Sequence, residues 1–494
     1  MSKSQALPSL LVNCSIRFGT SGVRGLVREL NDRICYAFTL AFLQHLEQLG
    51  ELHPGDEVAI GGDLRESTGR ILLAVGLAIS DRGYHPRACG RLPSPALALY
   101  GLEHRAATVM VTGSHIPDDR NGIKFTRARG EILKADERSI IGQQVTLPDC
   151  FDAAGQLQPG YVPDELPESD AAARGYVRRW LEGFAPSLLR GCRLGLYEHS
   201  AVGRDLLNEI LTGLGAEVVR FGRSDAFIPV DTEAIRPEDV ELARRWANEQ
   251  RFDTILSTDG DSDRPLISDE RGRWLRGDVA GILCARFLGA DVVVTPVSCN
   301  TAVEACDWFS DVRRTRIGSP YVIEAMDQAV AEGARTVVGY EANGGFLIAT
   351  DIERTEVKLR ALPTRDPVVV QLSLLALARD REVALSELLG EVPERFTASD
   401  RLQQFPTERS AARLQNLIQG GRAAIEESWG PHFGSVRSTD VTDGLRVTFA
   451  SGEILHLRPS GNAPEFRCYA EAATDARARE MTSIALSVLE TWRG

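Results

Sequence analysis

The chain has 494 residues, which is too long for a single hydrophobic core and predicts three or four domains. Hydrophobic residues make up 43% and charged residues 25% of the sequence, proportions typical of folded globular proteins and against broad disorder. The net charge of -13 argues against binding nucleic acid through a basic face.

Segment hydropathy and cysteine spacing indicate where the protein is expected to reside. No segment approaches the roughly 20 consecutive apolar residues that span a bilayer, and residues 1–15 lack the basic, apolar and small-residue regions of a signal peptide. The nine cysteines are scattered without a CxxC pair, which indicates neither a disulfide framework nor a zinc site. We therefore expect a cytoplasmic protein.

Strands and helices alternate along the first three quarters of the chain, a pattern typical of α/β architecture. The predicted strands are 56–62, 108–112, 193–197, 252–257, 291–297 and 336–340, and the predicted helices are 67–82, 202–214, 301–309 and 319–332.

After about residue 385 the pattern changes to two helical stretches, four strands and a final helix. These strands are predicted at 434–439, 443–449, 453–458 and 465–472, which indicates an α+β domain with an antiparallel sheet. We predict three related α/β domains and one C-terminal α+β domain, at 1–165, 166–275, 276–385 and 386–494, with a linker at 149–168.

Loops at the carboxyl ends of strands are the candidate sites, because ligands bind there in open α/β sheets. The first such loop carries a hydroxyl, Ser114, beside Gly113 and His115, and Lys124 follows shortly after it. A polar turn is the alternative interpretation. A serine hydrolase is not favoured, because the chain has no GxSxG elbow here.

A second loop carries Asp259, Asp261 and Asp263 at alternate positions after a strand. Three carboxylates offer oxygen ligands to one hard cation, which favours Mg²⁺ over a soft metal. A partial EF-hand is not favoured, because helices do not flank the loop. A solvated acidic turn remains the alternative.

Two further loops combine glycines with polar side chains. In the segment 339–345, Glu341 and Asn343 suit recognition of sugar hydroxyls; a glycine-rich connector is the alternative. The segment 458–464 supplies backbone N–H groups near a glycine, and Arg458 and Arg467 can contact phosphate with two hydrogen bonds each. Surface arginines in a β-turn are the alternative here.

The four loops in this order resemble the α-D-phosphohexomutase superfamily, which includes phosphomannomutases, phosphoglucomutases and phosphoglucosamine mutases. The resemblance spans nearly the whole chain and begins with Phe-Gly-Thr-Ser-Gly-Val-Arg-Gly at 18–25 and Gly-Asp-Leu-Arg at 62–65. It implies four domains around a central cleft and an isomerase that moves a phosphoryl group between O1 and O6 of a hexose phosphate. It also implies Mg²⁺ as cofactor and a hexose 1,6-bisphosphate as activator.

The resemblance also implies a role for each matched residue. Ser114 matches the phosphorylated serine, whose phosphate completes the metal shell, and Arg24, His115 and Lys124 lie beside it as catalytic residues. The metal ligands implied are Asp259, Asp261 and Asp263, and the substrate-binding residues implied are Arg264, Glu341, Asn343, Arg458, Ser460, Gly461, Asn462 and Arg467.

The chain departs from the common family pattern at several positions. Gly113 and Ile116 replace an alanine and an asparagine of the serine loop, and Asn343 stands where serine is commoner. Many members have a histidine where this chain has Gly345. If that histidine assists proton transfer in relatives, Lys124 and His115 are candidates to replace it.

The sequences of 316–320 and 339–345 are most similar to those of the phosphomannomutases. A phosphoglucomutase or a dual-specificity enzyme is the alternative, and a phosphoglucosamine mutase is less favoured. A non-catalytic sugar-phosphate binder and a metal-dependent phosphatase represent different classes of protein that also remain open.

Overall fold

The structure is a computed structural model that describes residues 4–12, 14–19, 22–162, 164, 167–460 and 465–493. Within these residues no helix is both long and apolar enough to cross a membrane. Three α/β units and a C-terminal α+β unit are visible, as the sequence predicts.

The first unit contains nine strands and four α-helices among the described residues. The strands are β1 (Ser4–Ala6), β2 (Arg17–Phe18), β3 (Gly22–Leu26), β4 (Glu57–Gly62), β5 (His85–Arg91), β6 (Ala107–Val111), β7 (Arg120–Arg127), β8 (Gly130–Glu131) and β9 (Gln144–Thr146), and the helices are α1 (Asp32–Gln48), α2 (Thr68–Asp81), α3 (Ser94–His104) and α4 (Lys134–Ile141). Seven strands form one sheet with the order β2-β3-β7-β6-β4-β5, in which β8 pairs with β7. A separate pair, β1 and β9, lies outside this sheet.

The second and third units each contain a four-stranded sheet. The second comprises β10 (Arg193–Tyr197), β11 (Glu217–Phe221), β12 (Thr254–Thr258) and β13 (Pro265–Ile267), with helices α5 (Ala171–Gly183), α6 (Arg204–Gly213) and α7 (Pro237–Gln250). The third comprises β14 (Val292–Pro296), β15 (Asp311–Thr315), β16 (Val337–Tyr340) and β17 (Phe346–Ile348), a hairpin of β18 (Ile352–Arg354) and β19 (Val357–Leu359), and helices α8 (Gly277–Leu288), α9 (Ala302–Ala305), α10 (Ser319–Ala331) and α11 (Pro367–Arg381).

These three units share one strand plan, which explains their likeness in the sequence. In each, three parallel strands are arranged with the first in the middle, and a fourth strand runs antiparallel beside the third. The orders are β5-β4-β6-β7, β11-β10-β12-β13 and β15-β14-β16-β17. The third strands β6, β12 and β16 are wholly buried, which accounts for their mostly apolar or β-branched composition.

The fourth unit is an antiparallel sheet covered by helices, with the strand order β20-β24-β23-β22-β21. Its strands are β20 (Phe396–Leu402), β21 (Val436–Asp440), β22 (Leu445–Phe449), β23 (Ile454–Pro459) and β24 (Phe466–Ala472). The short helix α12 (Leu385–Leu388) precedes the sheet and belongs to the same core as α11, while α13 (Thr407–Phe433) and α14 (Asp475–Glu490) are the helices of this unit. Trp429, Phe449, Phe466 and Met481 pack between sheet and helices.

Two local sequence predictions were wrong. The helix expected at 301–309 is only α9, four residues long, because Asp307 takes a left-handed conformation with φ of 54° and ends the turn. Strand β20 was not predicted, because it lies at the sheet edge with most of its side chains partly or fully exposed and shows no hydrophobic alternation.

One cluster of buried side chains passes through several of the units. Leu97 on α3, Trp180 on α5, Ile282 on α8 and Leu374 on α11 belong to the same hydrophobic core. The three α/β units are therefore packed together, and the loops that follow β6, β12 and β16 are held at fixed positions relative to one another.

Candidate active site

The serine loop follows β6 and is built around Ser114, which is fully buried. The Ser114 N–H donates to Thr112 Oγ1 at 2.7 Å, and Thr112 Oγ1 donates to Asp63 Oδ2 at 2.7 Å. Ser114 has a left-handed backbone with φ of 55°, a conformation that costs energy and that active-site residues often adopt. Its hydroxyl donates to Asp259 Oδ2 at 2.7 Å. The serine loop is thus in direct contact with the loop that carries Asp259, Asp261 and Asp263, the metal loop.

The side chain of Arg65 fixes the serine loop through hydrogen bonds to its backbone. Its buried guanidinium donates to the backbone oxygens of Ser114 at 2.9 Å and Ile116 at 2.6 Å, and to Asp63 Oδ2 at 3.2 Å. A Cβ on Gly113 would lie 2.6 Å from this guanidinium. The close approach of Arg65 therefore explains why this chain has a glycine at position 113, where the family commonly has an alanine.

The metal loop follows β12 and brings three buried carboxylates together. One oxygen from each of Asp259, Asp261 and Asp263 lies within 4.8 Å of the others. Among the described residues, Asp261 Oδ1 and Asp263 Oδ1 are buried and have no hydrogen-bond partner. Buried carboxylate oxygens without partners are costly unless a cation is near. This set therefore fits a hard divalent cation such as Mg²⁺.

Lys124 lies against the same carboxylates. Its ammonium donates to Asp261 Oδ2 and, at 2.7 Å, to Asp263 Oδ2. Burial alone would lower the pKa of Lys124, but the two carboxylates outweigh burial and raise it, so the side chain is charged. In contrast, burial and the charge of Asp261 raise the pKa of Asp259 well above its ordinary value.

His115 and Arg264 form a second polar contact beside the serine. Arg264 Nη1 lies 3.0 Å from His115 Nδ1, and Ser114 Oγ lies 3.4 Å from the same nitrogen. A guanidinium can only donate, so Nδ1 is the unprotonated nitrogen of a neutral ring. Burial and the charge of Arg264 lower the pKa of His115 to about 3. Because Nδ1 already accepts from Arg264, it is poorly placed to take the serine proton.

Arg24 projects from β3 toward this cluster. β3 pairs with β7 so that Arg24 lies opposite Gly122, two residues from Lys124. Burial and the charge of Arg264 lower the pKa of Arg24 to about 10, so the guanidinium remains charged at neutral pH. The cationic side chains that interact electrostatically with these aspartates include those of Arg24, Arg65, Lys124, Arg264 and Arg365.

The sugar loop follows β16 and presents Glu341 and Asn343, both buried. Glu341 Oε2 accepts from Arg365 Nη1 at 3.2 Å and from Ser319 Oγ at 3.3 Å. Asn343 Oδ1 accepts from the Gly345 N–H at 2.9 Å, so this oxygen supports its own loop. Recognition of substrate by Asn343 stays a prediction.

The phosphate loop connects β23 to β24. Arg458 and Arg467 are directly opposite one another across these strands, and Arg401 on β20 is opposite Arg467 on the other side. Opposite residues share a sheet face, so three arginines form one row. Asp443 pairs with Arg458 at 3.1 Å, and Glu465 lies within 3.5 Å of Arg467. These two carboxylates offset part of the repulsion within the row of three positive charges, and the remaining positive charge fits a phosphate site.

Two predicted residues of this loop, Gly461 and Asn462, lie outside the described residues. Ser460 is buried at the end of β23, and its N–H donates to the Glu465 backbone oxygen at 2.9 Å. Arg365 and Arg401 were not predicted as site residues from the sequence, because neither belongs to a motif. Only strand register and side-chain contacts reveal them.

Family models match most of the chain. The descriptions are phosphoglucomutase/phosphomannomutase alpha/beta/alpha domain I at residues 15–148, alpha/beta/alpha domain III at 276–396, and the C-terminal domain at 392–484. A phosphomannomutase of Sinorhizobium fredii is 43% identical over 475 residues, which cover 96% of this chain and 99% of that protein. A phosphomannomutase of Salmonella muenchen is 42% identical, with 97% and 96% covered.

A solved structure agrees with the fold. A phosphoglucomutase/phosphomannomutase family protein of Burkholderia thailandensis superposes with a TM-score of 0.72 at 18% identity and covers 96% of this chain and 97% of that one. With three matched domain models and relatives above 40% identity along almost its full length, the chain belongs to the phosphoglucomutase/phosphomannomutase family of α-D-phosphohexomutases.

Proposed function

We propose that this protein is a phosphomannomutase that interconverts mannose 1-phosphate and mannose 6-phosphate through a phosphoserine at Ser114. The observation that carries the proposal is the contact of the buried Ser114 hydroxyl with Asp259 inside a cluster of three carboxylates and several cations. The two phosphomannomutase relatives support the choice of sugar. The four predicted domains, at 1–165, 166–275, 276–385 and 386–494, form part of the same proposal.

Phosphoryl transfer requires in-line positioning of the reactants and neutralisation of the charge on the phosphoryl oxygens. Asp259, Asp261 and Asp263 would hold Mg²⁺, which when bound supplies part of that neutralisation. Arg24 and Lys124 supply the rest. A phosphoserine carries a charge of about -1.5 to -2 near pH 7, and such a charge suits a site where cations already surround a buried hydroxyl.

The proton of the substrate hydroxyl needs a nearby group. Lys124 is held charged by two carboxylates, so it acts as a donor toward the phosphoryl oxygens rather than as a base. The ring of His115 is neutral but Nδ1 is engaged by Arg264. We assign Lys124 and Arg264 to charge stabilisation and His115 to holding Arg264 in place.

The substrate's own phosphate binds at Arg458, Ser460, Gly461, Asn462 and Arg467. This contact places the free hydroxyl of the sugar at the phosphoserine. Glu341 accepts hydrogen bonds from the ring hydroxyls, and the side-chain NH2 of Asn343 donates to them. Transfer breaks the bond between phosphorus and Ser114 Oγ and forms the bond to the sugar oxygen, and the proton of the sugar hydroxyl ends on Ser114 Oγ. The products are a hexose 1,6-bisphosphate and a free serine hydroxyl. The bisphosphate turns around and returns its other phosphate to Ser114, and added bisphosphate acts as activator because it phosphorylates the serine.

The test uses purified protein with Mg²⁺, a trace of glucose 1,6-bisphosphate and either mannose 1-phosphate or glucose 1-phosphate, with formation of the 6-phosphate followed by ³¹P NMR. We expect efficient conversion of mannose 1-phosphate. Conversion of glucose 1-phosphate alone would make the enzyme a phosphoglucomutase, and comparable rates would make it dual-specific. Release of inorganic phosphate without isomerisation would indicate a phosphatase instead.

The variant Ser114→Ala should lose turnover and incorporate no phosphate from labelled bisphosphate, because it lacks the accepting oxygen. The matched control is Ser373→Ala. Ser373 is a fully buried serine on α11 that belongs to none of the four loops, so its loss should leave turnover unchanged. Turnover by Ser114→Ala at the wild-type rate would refute the phosphoserine mechanism.

A further inference from the structure

Arg365 is a buried arginine that lies between the metal loop and the sugar loop, and none of the motifs includes it. It directly precedes α11, whose N-cap Asp366 accepts from the Val368 N–H at 2.9 Å. The Asp366 N–H in turn donates to the Phe346 backbone oxygen at 2.9 Å. These contacts fix the backbone from which the Arg365 side chain projects.

The guanidinium of Arg365 contacts both loops at once. Nε and Nη2 lie 3.1 Å and 2.8 Å from Asp263 Oδ2, while Nη1 lies 3.2 Å from Glu341 Oε2 and donates to Ser319 Oγ at 2.8 Å. The side chains of Arg365, Asp263 and Glu341 are all at most 6% exposed. The planar fork of an arginine is suited to bind two carboxylates in this way, and a lysine is not.

These contacts use only one oxygen of each carboxylate. Arg365 and Lys124 both bind Asp263 Oδ2, while Asp263 Oδ1 has no hydrogen-bond partner in the described part of the chain and lies 3.6 Å from Arg264 Nε. Both hydrogen bonds to the Glu341 side chain within those residues use Oε2. The geometry therefore leaves Glu341 Oε1 available to a sugar hydroxyl.

Gly345 provides the space that Arg365 occupies. A Cβ added at Gly345 would lie 2.5 Å from Arg365 Cδ and 2.7 Å from Arg365 Cγ, closer than such atoms approach in real structures. The glycine in the sugar loop and the arginine before α11 are therefore a matched pair.

We propose that Arg365 is a positioning residue of the mutase reaction. It orients Glu341 so that Oε1 accepts hydrogen bonds from the sugar hydroxyls, and it fixes the sugar loop against the metal loop. This inference rests on the proposed function, and it adds to that function a specific residue that acts through Glu341 rather than on the substrate.

The first test compares Arg365→Met, which keeps the length of the stem, with Arg365→Lys, which keeps the charge, and with Glu341→Gln. The control is Arg360→Met, an exposed arginine in the same segment. We expect kcat/KM for mannose 1-phosphate to fall about 10- to 100-fold in Arg365→Met. A loss of this size corresponds to the loss of one hydrogen bond to a charged group. Most of the loss should lie in KM, because a hydroxyl contact is made in ground and transition states alike.

Arg365→Lys should recover part of this loss, and Arg360→Met should show none. The double variant Arg365→Met/Glu341→Gln should be no worse than Glu341→Gln alone within about threefold, because residues that act as a unit are not additive. Titration calorimetry of mannose 1-phosphate binding should show the same ranking without turnover. Multiplicative losses in the double variant would overturn the proposal.

A second test concerns Gly345 and Arg365 together, and it does not require the variant Arg365→Met to fold stably. Gly345→Ala should reduce kcat/KM at least about tenfold in the wild-type background, because the new methyl displaces the arginine stem. In an Arg365→Ala background the same substitution should have little further effect, because the space is then free. Equal effects in both backgrounds would contradict the inference.

The wild-type protein in the same assays separates the two proposals. If it converts no hexose phosphate, the proposed function fails. If it is an active mutase and Arg365→Met keeps a normal melting temperature with kcat/KM and binding within twofold of wild type, only the inference about Arg365 fails.

Discussion

Arg65 is the side chain on which the position of Ser114 depends most. Its guanidinium makes five hydrogen bonds: one to Asp63 and four to the backbone oxygens of Ser114, Ile116, Pro117 and Arg120. It also stacks on Phe227, with 3.8 Å between the guanidinium carbon and the ring centroid. The substitution Arg65→Met removes these contacts while keeping an apolar stem.

The expected loss of folding stability in Arg65→Met follows from the burial of the ion pair between Arg65 and Asp63. The side chains of Arg65 and Asp63 are both 0% exposed, and removing one partner of a buried ion pair costs about 3–5 kcal/mol. Asp63 keeps hydrogen bonds from Thr68 and Thr112, which limits the loss, so we expect about 3–4 kcal/mol. Each kcal/mol shifts the melting temperature of a unit of this size by about 2–4 °C, which gives a decrease of about 6–16 °C.

Activity should fall as well, because the serine loop loses the group that fixes four of its carbonyls. A displacement of about 1 Å at a reacting atom can reduce the rate about 100-fold. We expect this loss in kcat for mannose 1-phosphate at a temperature where the variant is folded. Urea unfolding followed by circular dichroism, together with the ³¹P NMR assay, measures both effects.

The matched control is Arg87→Met in the same sheet. Arg87 pairs with Glu57 at 2.7 Å, but its side chain is 49% exposed, and exposed ion pairs contribute about 0–1 kcal/mol. This variant should melt within about 3 °C of wild type with unchanged kcat. If Arg65→Met behaved like Arg87→Met in both assays, the argument that Arg65 holds the serine loop would be refuted.

Three further predictions concern the metal loop, the phosphate loop and a buried carboxyl. Asp261→Asn should weaken Mg²⁺ binding at least about tenfold in calorimetry, because one charged ligand is lost; unchanged affinity would contradict the metal assignment. Arg467→Met should raise KM for mannose 1-phosphate about 10- to 100-fold, the value of a charge-assisted contact, whereas an unchanged KM would exclude Arg467 from the phosphate site. Burial raises the pKa of Asp366 to about 6, above its value of about 3.9 in the unfolded chain. The contribution of Asp366 to folding stability should therefore be most favourable below pH 4 and become less favourable until about pH 6. Asp366→Asn removes this dependence, so the free energy of unfolding of the variant relative to wild type should rise by about 2–3 kcal/mol from pH 4 to pH 7; a constant difference in urea unfolding would refute the shift.

The sequence by itself determined the fold class, the order of the loops and the family. These features are local: a buried apolar strand followed by a serine, by alternating aspartates or by a glycine-rich turn is readable within about ten residues, as at Ser114, Asp259 and Glu341. Strand β20 was not readable, because an exposed edge strand carries little hydrophobic alternation.

Only the tertiary structure decided which side chains support these loops. Arg65 and Arg365 belong to other segments than the residues they hold: Arg65 lies 49 residues before Ser114, and Arg365 lies 102 residues after Asp263. The row of Arg401, Arg458 and Arg467 exists because of strand register, which a one-residue shift would destroy. Contacts between distant segments depend on the packing of the whole chain, and so no local pattern encodes them.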